Sequence, residues 1–227
     1  MIATWRAPSL GGKSAEELLV SFDRGRARRV LVLPALFDEA NKLRHFTVQV
    51  MRALDELGLD SFLPDLPGCN ESLVPLEDQT LEGWKEAAAF AAESFSATEI
   101  LTIRAGALFA PDAIPTWQYA PQTGAKLLRA MIRARIIAAR EAGRSETQEQ
   151  LLEAGRDKGL TLAGWPIGAA MLRELEAAVP GNSENQAIIA QAQVGGAGLW
   201  LRAEPSHDQA QAEALAQIIA ANKRSTP

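Results

Sequence analysis

The chain has 227 residues, with 23 Lys and Arg against 28 Asp and Glu, so its formal net charge is −5 at pH 7. With 47% hydrophobic and 22% charged residues, it has enough apolar surface for one sizeable core and too little net charge for a disordered segment. The acidic balance, without a basic block, argues against nucleic acid as the main partner. We therefore expect a single domain over residues 1–227.

Cysteine and histidine are scarce. The single cysteine, Cys69, excludes an internal disulfide and a cysteine-based zinc site, and the two histidines, His45 and His207, argue against a histidine-rich metal centre. We expect neither a metal nor a cofactor. Residues 1–10 lack the charged and apolar regions of a signal peptide, and no apolar run approaches the ~20 residues of a membrane span. The expected location is the cytoplasm, with no integral membrane segment.

The first half of the chain alternates strand and helix patterns. Turn residues at 8–12, an apolar segment at 18–22 and a buried run at 30–33 predict a hairpin that leads into a buried strand. Helical spacing then predicts a helix at 43–57 that ends at Gly58. The other elements predicted here are a strand at 61–63, a helix at 81–95, and strands at 100–103 and 114–117. This alternation predicts an α/β fold with a doubly wound, mostly parallel sheet.

The second half predicts a helical insertion and a changed end of the sheet. A long helical pattern begins at residue 124, and we predict a lid-like helical insertion at 123–180, over the carboxyl ends of the strands. Strand patterns at 187–194 and 199–203 are joined by residues 195–198 alone, a link too short for a parallel crossover. They predict a hairpin, and therefore a shortened or rearranged C-terminal part.

Three segments together resemble an α/β-hydrolase. Residues 65–72 read DLPGCNES and are similar to the D-x-x-G-x-G-x-S turn of that fold, with Asn70 in place of the second glycine. Residues 34–42 directly follow a predicted strand, where the fold has its oxyanion loop. The turn after Ile103 lies where the fold has its nucleophile elbow. The resemblance implies an α/β-hydrolase-like sheet.

Three stretches narrow this resemblance. Residues 34–44, PALFDEANKLR, are similar to a P-P-F-A-E-E-M-N-K-x-R stretch, residues 65–72 to D-L-x-G-C-G-D-S, and residues 104–108, RAGAL, to R-x-G-A-L. These stretches occur in the exosortase A system-associated hydrolase 2 group, which is found with PEP-CTERM and exopolysaccharide gene clusters. The resemblance extends from about residue 30 to residue 178. After Arg202 the closing strand of the group, with its F-W pair, has no match here.

The residue at the elbow position decides which chemistry is available. The nucleophile of the fold stands at the centre of G-x-S-x-G, and residues 102–106, TIRAG, place Arg104 there. A guanidinium stays protonated at any physiological pH and cannot attack a carbonyl, which excludes ordinary acyl-enzyme chemistry at this turn. The small residues after Arg104 predict that a helix begins directly after the strand. Arg104 then either binds an anion at the helix N-terminus or pairs with Asp38 or Glu39 and locks the site.

A polar stretch lies on the predicted loop before the first helix. Glu39, Asn41 and Lys42 crowd this loop together with Asp38, near the edge of the sheet where Arg104 is expected. They form either a pocket for an anion or a solvated helix-capping stretch. We therefore take Arg104, Glu39, Asn41 and Lys42 as candidate binding residues.

Three residues elsewhere are further candidates. His207 follows the last predicted strand, where the fold has its catalytic histidine, but after a hairpin it would lie on a surface loop. Cys69 is either a nucleophile with a lowered pKa or a small buried filler. Arg135 lies in the apolar stripe of its helix and needs either a buried acid or a ligand, so it is a second candidate for anion binding. The same helix has a basic stripe, which is either a solvated face or a surface for an acidic partner or a membrane: Lys126, Arg129, Arg133, Arg140 and Arg144.

These residues leave three functions open. The first is a degenerate α/β-hydrolase-fold protein that binds a small anionic or acyl ligand, or a partner, in exopolysaccharide or protein-sorting systems. The second is an active hydrolase or acyltransferase of unusual mechanism, acting on an anionic or acyl- or glycan-linked substrate, with His207 or an acid activating water. The third is a structural subunit that pairs with a hydrolase paralogue from the same gene cluster. The missing serine favours the first.

Overall fold

The computed structural model describes residues 1–9 and 13–222, and its centre is a sheet. The strands are β1 (Ile2–Ser9), β2 (Lys13–Phe22), β3 (Arg29–Leu33), β4 (Asp60–Pro64), β5 (Glu99–Ile103), β6 (Thr116–Tyr119), β7 (Leu160–Leu162), β8 (Trp165–Ile167) and β9 (Gln186–Ile189). Seven of these strands form the sheet in the order β1-β2-β4-β3-β5-β6-β9. β2 is antiparallel to β1 and β4, whereas β4, β3, β5, β6 and β9 run parallel to one another. The doubly wound, mostly parallel α/β sheet predicted from the sequence is confirmed.

Helices cover both faces of the sheet. They are α1 (Asp38–Glu56), α2 (Leu81–Ser94), α3 (Gly124–Glu141), α4 (Gln148–Lys158), α5 (Ala169–Ala177), α6 (Gln191–Val194) and α7 (Gln209–Ala221). Successive side chains of a strand point to opposite faces, so β3 serves two cores. Val30 and Val32 pack in the cluster that contains α1 and α7, whereas Leu31 and Leu33 pack in the cluster of α2, α3 and α5. Burial on both faces explains why β3 is a continuous apolar run.

A hairpin leads into the buried strand β3, as predicted, but its first strand, β1, was not predicted. The segment at 18–22 belongs to β2, which forms a hairpin with β1 and pairs with β4, and it does not pair with the run at 30–33. The sequence pattern missed β1, where Trp5 and Ala7 are buried and the Trp5 indole Nε1 donates to the Asp65 carbonyl at 3.1 Å. The turn predicted at 8–12 lies partly outside the described residues.

Residues between β6 and β9 form the inserted segment. It consists of α3, α4, a hairpin of β7 and β8, and α5. The helices were predicted from their periodicity, but the hairpin was not, because strands of three residues are too short to show a period of two. Whether this segment opens as a lid stays a prediction. In the described ranges, no helix combines the length and the apolar character needed to cross a membrane.

The C-terminal end of the sheet corrects the predicted hairpin. Only Gln186–Ile189 is a strand, parallel to β6, and the chain then forms α6 and a 3₁₀ turn at Leu199–Leu201. Gly195 and Gly196 have φ of 88° and 66°, so they end α6 in the left-handed region that glycine adopts most easily. A short apolar run is compatible with either a strand or a buried helix turn, which is why the pattern misled here.

Candidate functional site

The turn after β5 has the strained backbone of an elbow. Arg104 has φ of 56°, in the left-handed region that residues with a side chain rarely adopt. A Cβ on Gly106 would lie 2.5 Å from the carbonyl oxygen of Leu33 and 2.6 Å from that of Pro34, so a glycine is required there. Arg104–Leu108 is a 3₁₀ turn of five residues, and the helix predicted after this strand does not form. The alternative in which Arg104 binds an anion at a helix N-terminus therefore loses its helix, because so short a turn supplies little helix dipole.

The Arg104 side chain is enclosed by protein groups. Its Nε and Nη2 donate to the two carboxylate oxygens of Glu39 at 2.9 and 3.1 Å, its Nη1 donates to the Ala120 carbonyl at 2.7 Å, and Nη2 also donates to the Gln122 side-chain oxygen. The guanidinium carbon lies 4.0 Å from the centroid of the Trp200 ring, and only 8% of the side chain is exposed. Four of the five N–H donors of the guanidinium are thus used, which leaves at most one for a ligand.

The polar stretch at 38–42 forms the first turns of α1, not a loop. Phe37 is the N-cap residue, with φ of 54°, and the helix begins at Asp38. The carboxylates of Asp38 and Glu39 lie where the helix dipole favours negative charge. Asp38 also pairs with Lys42 at 2.9 Å. Asn41 is exposed on α1 and is not among the residues that line the cleft described next.

A cleft of about 660 Å³ opens above Arg104, between the start of α1 and α3. Much of its lining is apolar and consists of Phe37, Leu127, Ala130, Met131, Trp200 and Leu201. Two ion pairs line the cleft, Glu39 with Arg104 and Asp38 with Lys42. Lys126 is the remaining charged residue of the lining. Within residues 1–9 and 13–222, Lys126 has no carboxylate partner. Among the described residues, the cleft therefore offers one cation without a carboxylate partner, together with an apolar lining.

The other predicted site residues lie outside this cleft. The ring of His207 lies 4.2 Å from the ring of His45, between centroids, and neither histidine lines the cleft. Arg135 donates to both carboxylate oxygens of Glu146 at 2.8 and 3.0 Å and to the Thr161 carbonyl at 2.7 Å. A partner carboxylate therefore accounts for Arg135 without a ligand. The structure groups Arg104, Glu39 and Lys42, and leaves Asn41 out.

Cys69 lies in a turn whose contacts are structural. The Ser72 hydroxyl donates to Glu17 at 2.7 Å and accepts from the Gly68 N–H at 2.8 Å, which holds the turn against β2. Burial and the negative charges of Asp65 and Glu17 raise the pKa of the Cys69 thiol to about 12. Because the thiolate is the reactive form, the raised pKa favours the interpretation of Cys69 as a small filler over that of a nucleophile. In the described part of the chain, no three His, Cys, Asp or Glu side chains cluster to hold a metal ion.

Two residues that enclose Arg104 were not predicted. Gln122 follows β6, and Trp200 comes from the 3₁₀ turn that replaces the predicted last strand. Neither belongs to a motif. The only signal for Gln122 was topological, because the carboxyl ends of neighbouring parallel strands meet at one edge of a sheet. Trp200 had no signal, since its segment was predicted as a strand.

No protein-family model matches the chain, and no curated protein matches it. Among solved structures, a protein from Agrobacterium vitis S4 described as a hydrolase is 16% identical, with a TM-score of 0.44 over 61% of this chain and 60% of that one. The α/β hydrolase domain-containing protein 10 from mouse is 12% identical, with a TM-score of 0.49 over 78% and 69%. An esterase from Thermogutta terrifontis is 17% identical, with a TM-score of 0.40 over 69% and 54%. The chain spans less than two thirds of the first and third of these proteins, and these likenesses concern the fold alone.

Proposed function

We propose that this chain is an α/β-hydrolase-fold protein that does not hydrolyse esters and instead binds a small anionic ligand with an apolar part. The observation that carries the proposal is Arg104 at the elbow, with φ of 56° and a two-bond ion pair to Glu39. Hydrolysis on this fold needs a nucleophile, an aligned base and preset oxyanion donors. Arg104 removes the nucleophile, and the position of His207 beside His45 supplies no base to the cleft.

The cleft supports the ligand class. Its volume of about 660 Å³ lies within the 300–1,000 Å³ that is typical of small-molecule sites. A carboxylate or phosphate head would meet the ammonium of Lys126, and an apolar chain would lie along Leu127, Met131 and Trp200. Arg104 then shapes the floor of the cleft, because its own donors are already engaged by Glu39.

The biological setting is proposed from the sequence resemblance alone. The stretches at 34–44, 65–72 and 104–108 support a place among proteins of the exosortase A system, and so a role in exopolysaccharide production or protein sorting. A hydrolase paralogue from the same gene cluster is the partner that this setting favours. A cytoplasmic location belongs to the same proposal.

Ligand binding predicts a difference between a carboxylate and an alcohol of equal length. We expect octanoate to bind in calorimetric titration, and Lys126→Gln to weaken it about tenfold, because a hydrogen bond to a charged group contributes about 1.5 kcal/mol. Arg129→Gln is the matched control, since it removes a neighbouring exposed cation of α3 that does not line the cleft. Equal octanoate affinity in both variants, or octanol binding as tightly as octanoate, would contradict the proposed ligand class.

A further inference from the structure

One face of α3 carries exposed cations without partners. Lys126, Arg129, Arg133 and Arg140 are exposed, and none forms an ion pair within the ranges that the structure describes. Most other arginines have a carboxylate partner: Arg24, Arg26, Arg28, Arg29, Arg44, Arg104, Arg135 and Arg156. Within the described chain, three exposed arginines without an ion pair thus lie together on α3, with Lys126 on the same helix. We propose that this face, the α3 basic face, docks the protein on an anionic lipid surface.

Among the described residues, no ion pair offsets the repulsion between these charges. Lys126 and Arg129 are three residues apart, and Arg129 and Arg133 four, spacings at which like charges on a helix repel. The first turn of α3 holds no acidic residue, so Lys126 also faces the positive end of the helix dipole. Such an arrangement is unfavourable in isolation. It becomes favourable against a partner of dense negative charge.

The geometry of the α3 basic face fits a plane. At 100° per residue, the four cations fall within an arc of about 60°, and from Lys126 to Arg140 they extend about 21 Å along the helix. Ile137 lies on the same face and is 50% exposed. A flat anionic surface can contact all four cations at once, while the exposed isoleucine meets the interface. This coplanar row, with an apolar residue among the charges, favours a bilayer over an acidic protein segment.

The net charge of the protein favours one orientation on an anionic bilayer. The formal charge is −5, so most of the surface is repelled by anionic lipid. The Debye length is about 8 Å at physiological ionic strength, so only charges on the face that contacts the bilayer interact with it strongly. The protein would therefore sit with α3 toward the bilayer. Lys126 and Leu201, which is 76% exposed, line the cleft, so the cleft would open beside the lipid surface. This docking does not depend on the ligand proposed above.

Sedimentation with lipid vesicles tests the proposal. We expect the protein to bind phosphatidylcholine vesicles that contain about one third phosphatidylglycerol, and not pure phosphatidylcholine. The variant Arg129→Gln/Arg133→Gln should bind about 25-fold more weakly, since each Lys or Arg near the surface contributes about 1 kcal/mol, or about fivefold. The matched control is Arg6→Gln/Arg52→Gln, which changes the net charge equally at two exposed arginines outside α3 and should retain binding within about twofold. Arg129→Lys/Arg133→Lys should also retain binding.

Three results would overturn the docking proposal. The first is that wild-type protein binds neither kind of vesicle, which is the result expected if the α3 basic face instead binds an acidic protein. Equal binding to both vesicles would show that the charges play no part. An equal loss in the Arg6→Gln/Arg52→Gln control would show that net charge, and not the α3 basic face, governs binding. None of these results bears on the octanoate titration.

Discussion

Replacing Arg104 by alanine is expected to lower the free energy of unfolding by about 3 kcal/mol or more, as breaking a buried ion pair does. The change leaves the Glu39 carboxylate, only 17% exposed, without its partner. It also removes the donors that satisfy Gln122 and the Ala120 carbonyl. Urea melts measure the loss.

The control for this prediction is the same substitution on an exposed arginine. Arg129→Ala removes a side chain that has no ion pair in the described chain and should change stability by about 0.5 kcal/mol or less. Adding Glu39→Ala to Arg104→Ala should cost less than the sum of the single changes, because it removes the unpaired charge. A loss below about 1 kcal/mol for Arg104→Ala would mean that the arginine is free to bind a ligand and that the ion pair is not structural.

Placing a serine at residue 104 should not produce ester hydrolysis. We expect Arg104→Ser to hydrolyse p-nitrophenyl esters no more than about tenfold faster than wild type, because a hydroxyl without an aligned base forfeits the effective molarity of a positioned pair. In the described residues no histidine lines the cleft, and the ring of His207 contacts that of His45. Ester turnover at saturating substrate measures the effect.

Low turnover of Arg104→Ser could also result from misfolding after the ion pair with Glu39 is lost, so a second variant is needed. The double variant Arg104→Ser/Glu39→Gln removes the unpaired carboxylate and keeps the side-chain volume of residue 39, so it should fold more stably than Arg104→Ser alone. Its turnover should be equally low. A hundredfold rise that disappears on adding His207→Ala would show that the catalytic geometry persists and that only the nucleophile was lost.

The sequence predicted the parts of the site that lie on strong local patterns. The buried run of β5 and its position in the strand and helix alternation were enough to place Arg104 at the end of a central strand. Both signals are local, because they come from residues that are adjacent in the sequence. The same reasoning left Asp38 and Glu39 as equal partners for Arg104. It could not choose between them, because the choice depends on which residue of the first turn of α1 faces the sheet.

The remaining parts depend on contacts between distant segments. Trp200 covers the guanidinium of Arg104 only because its segment folds as a 3₁₀ turn, whereas its short apolar pattern also fits a strand. The hairpin of β7 and β8 was missed because its strands have three residues each, too few to show a period. β1 does alternate, with Trp5 and Ala7 buried and Thr4 and Arg6 exposed, but this short signal was overlooked.

The proposal that the elbow carries no nucleophile is tested most directly by the intact mass of the protein after treatment with a fluorophosphonate probe. A serine activated by an aligned base reacts covalently with such a probe, whereas the guanidinium of Arg104 does not. We expect the native protein to keep its unmodified mass, with the heat-unfolded protein as the control for non-specific reaction. A stoichiometric adduct on any serine of the native protein, absent after unfolding, would contradict a non-hydrolytic function.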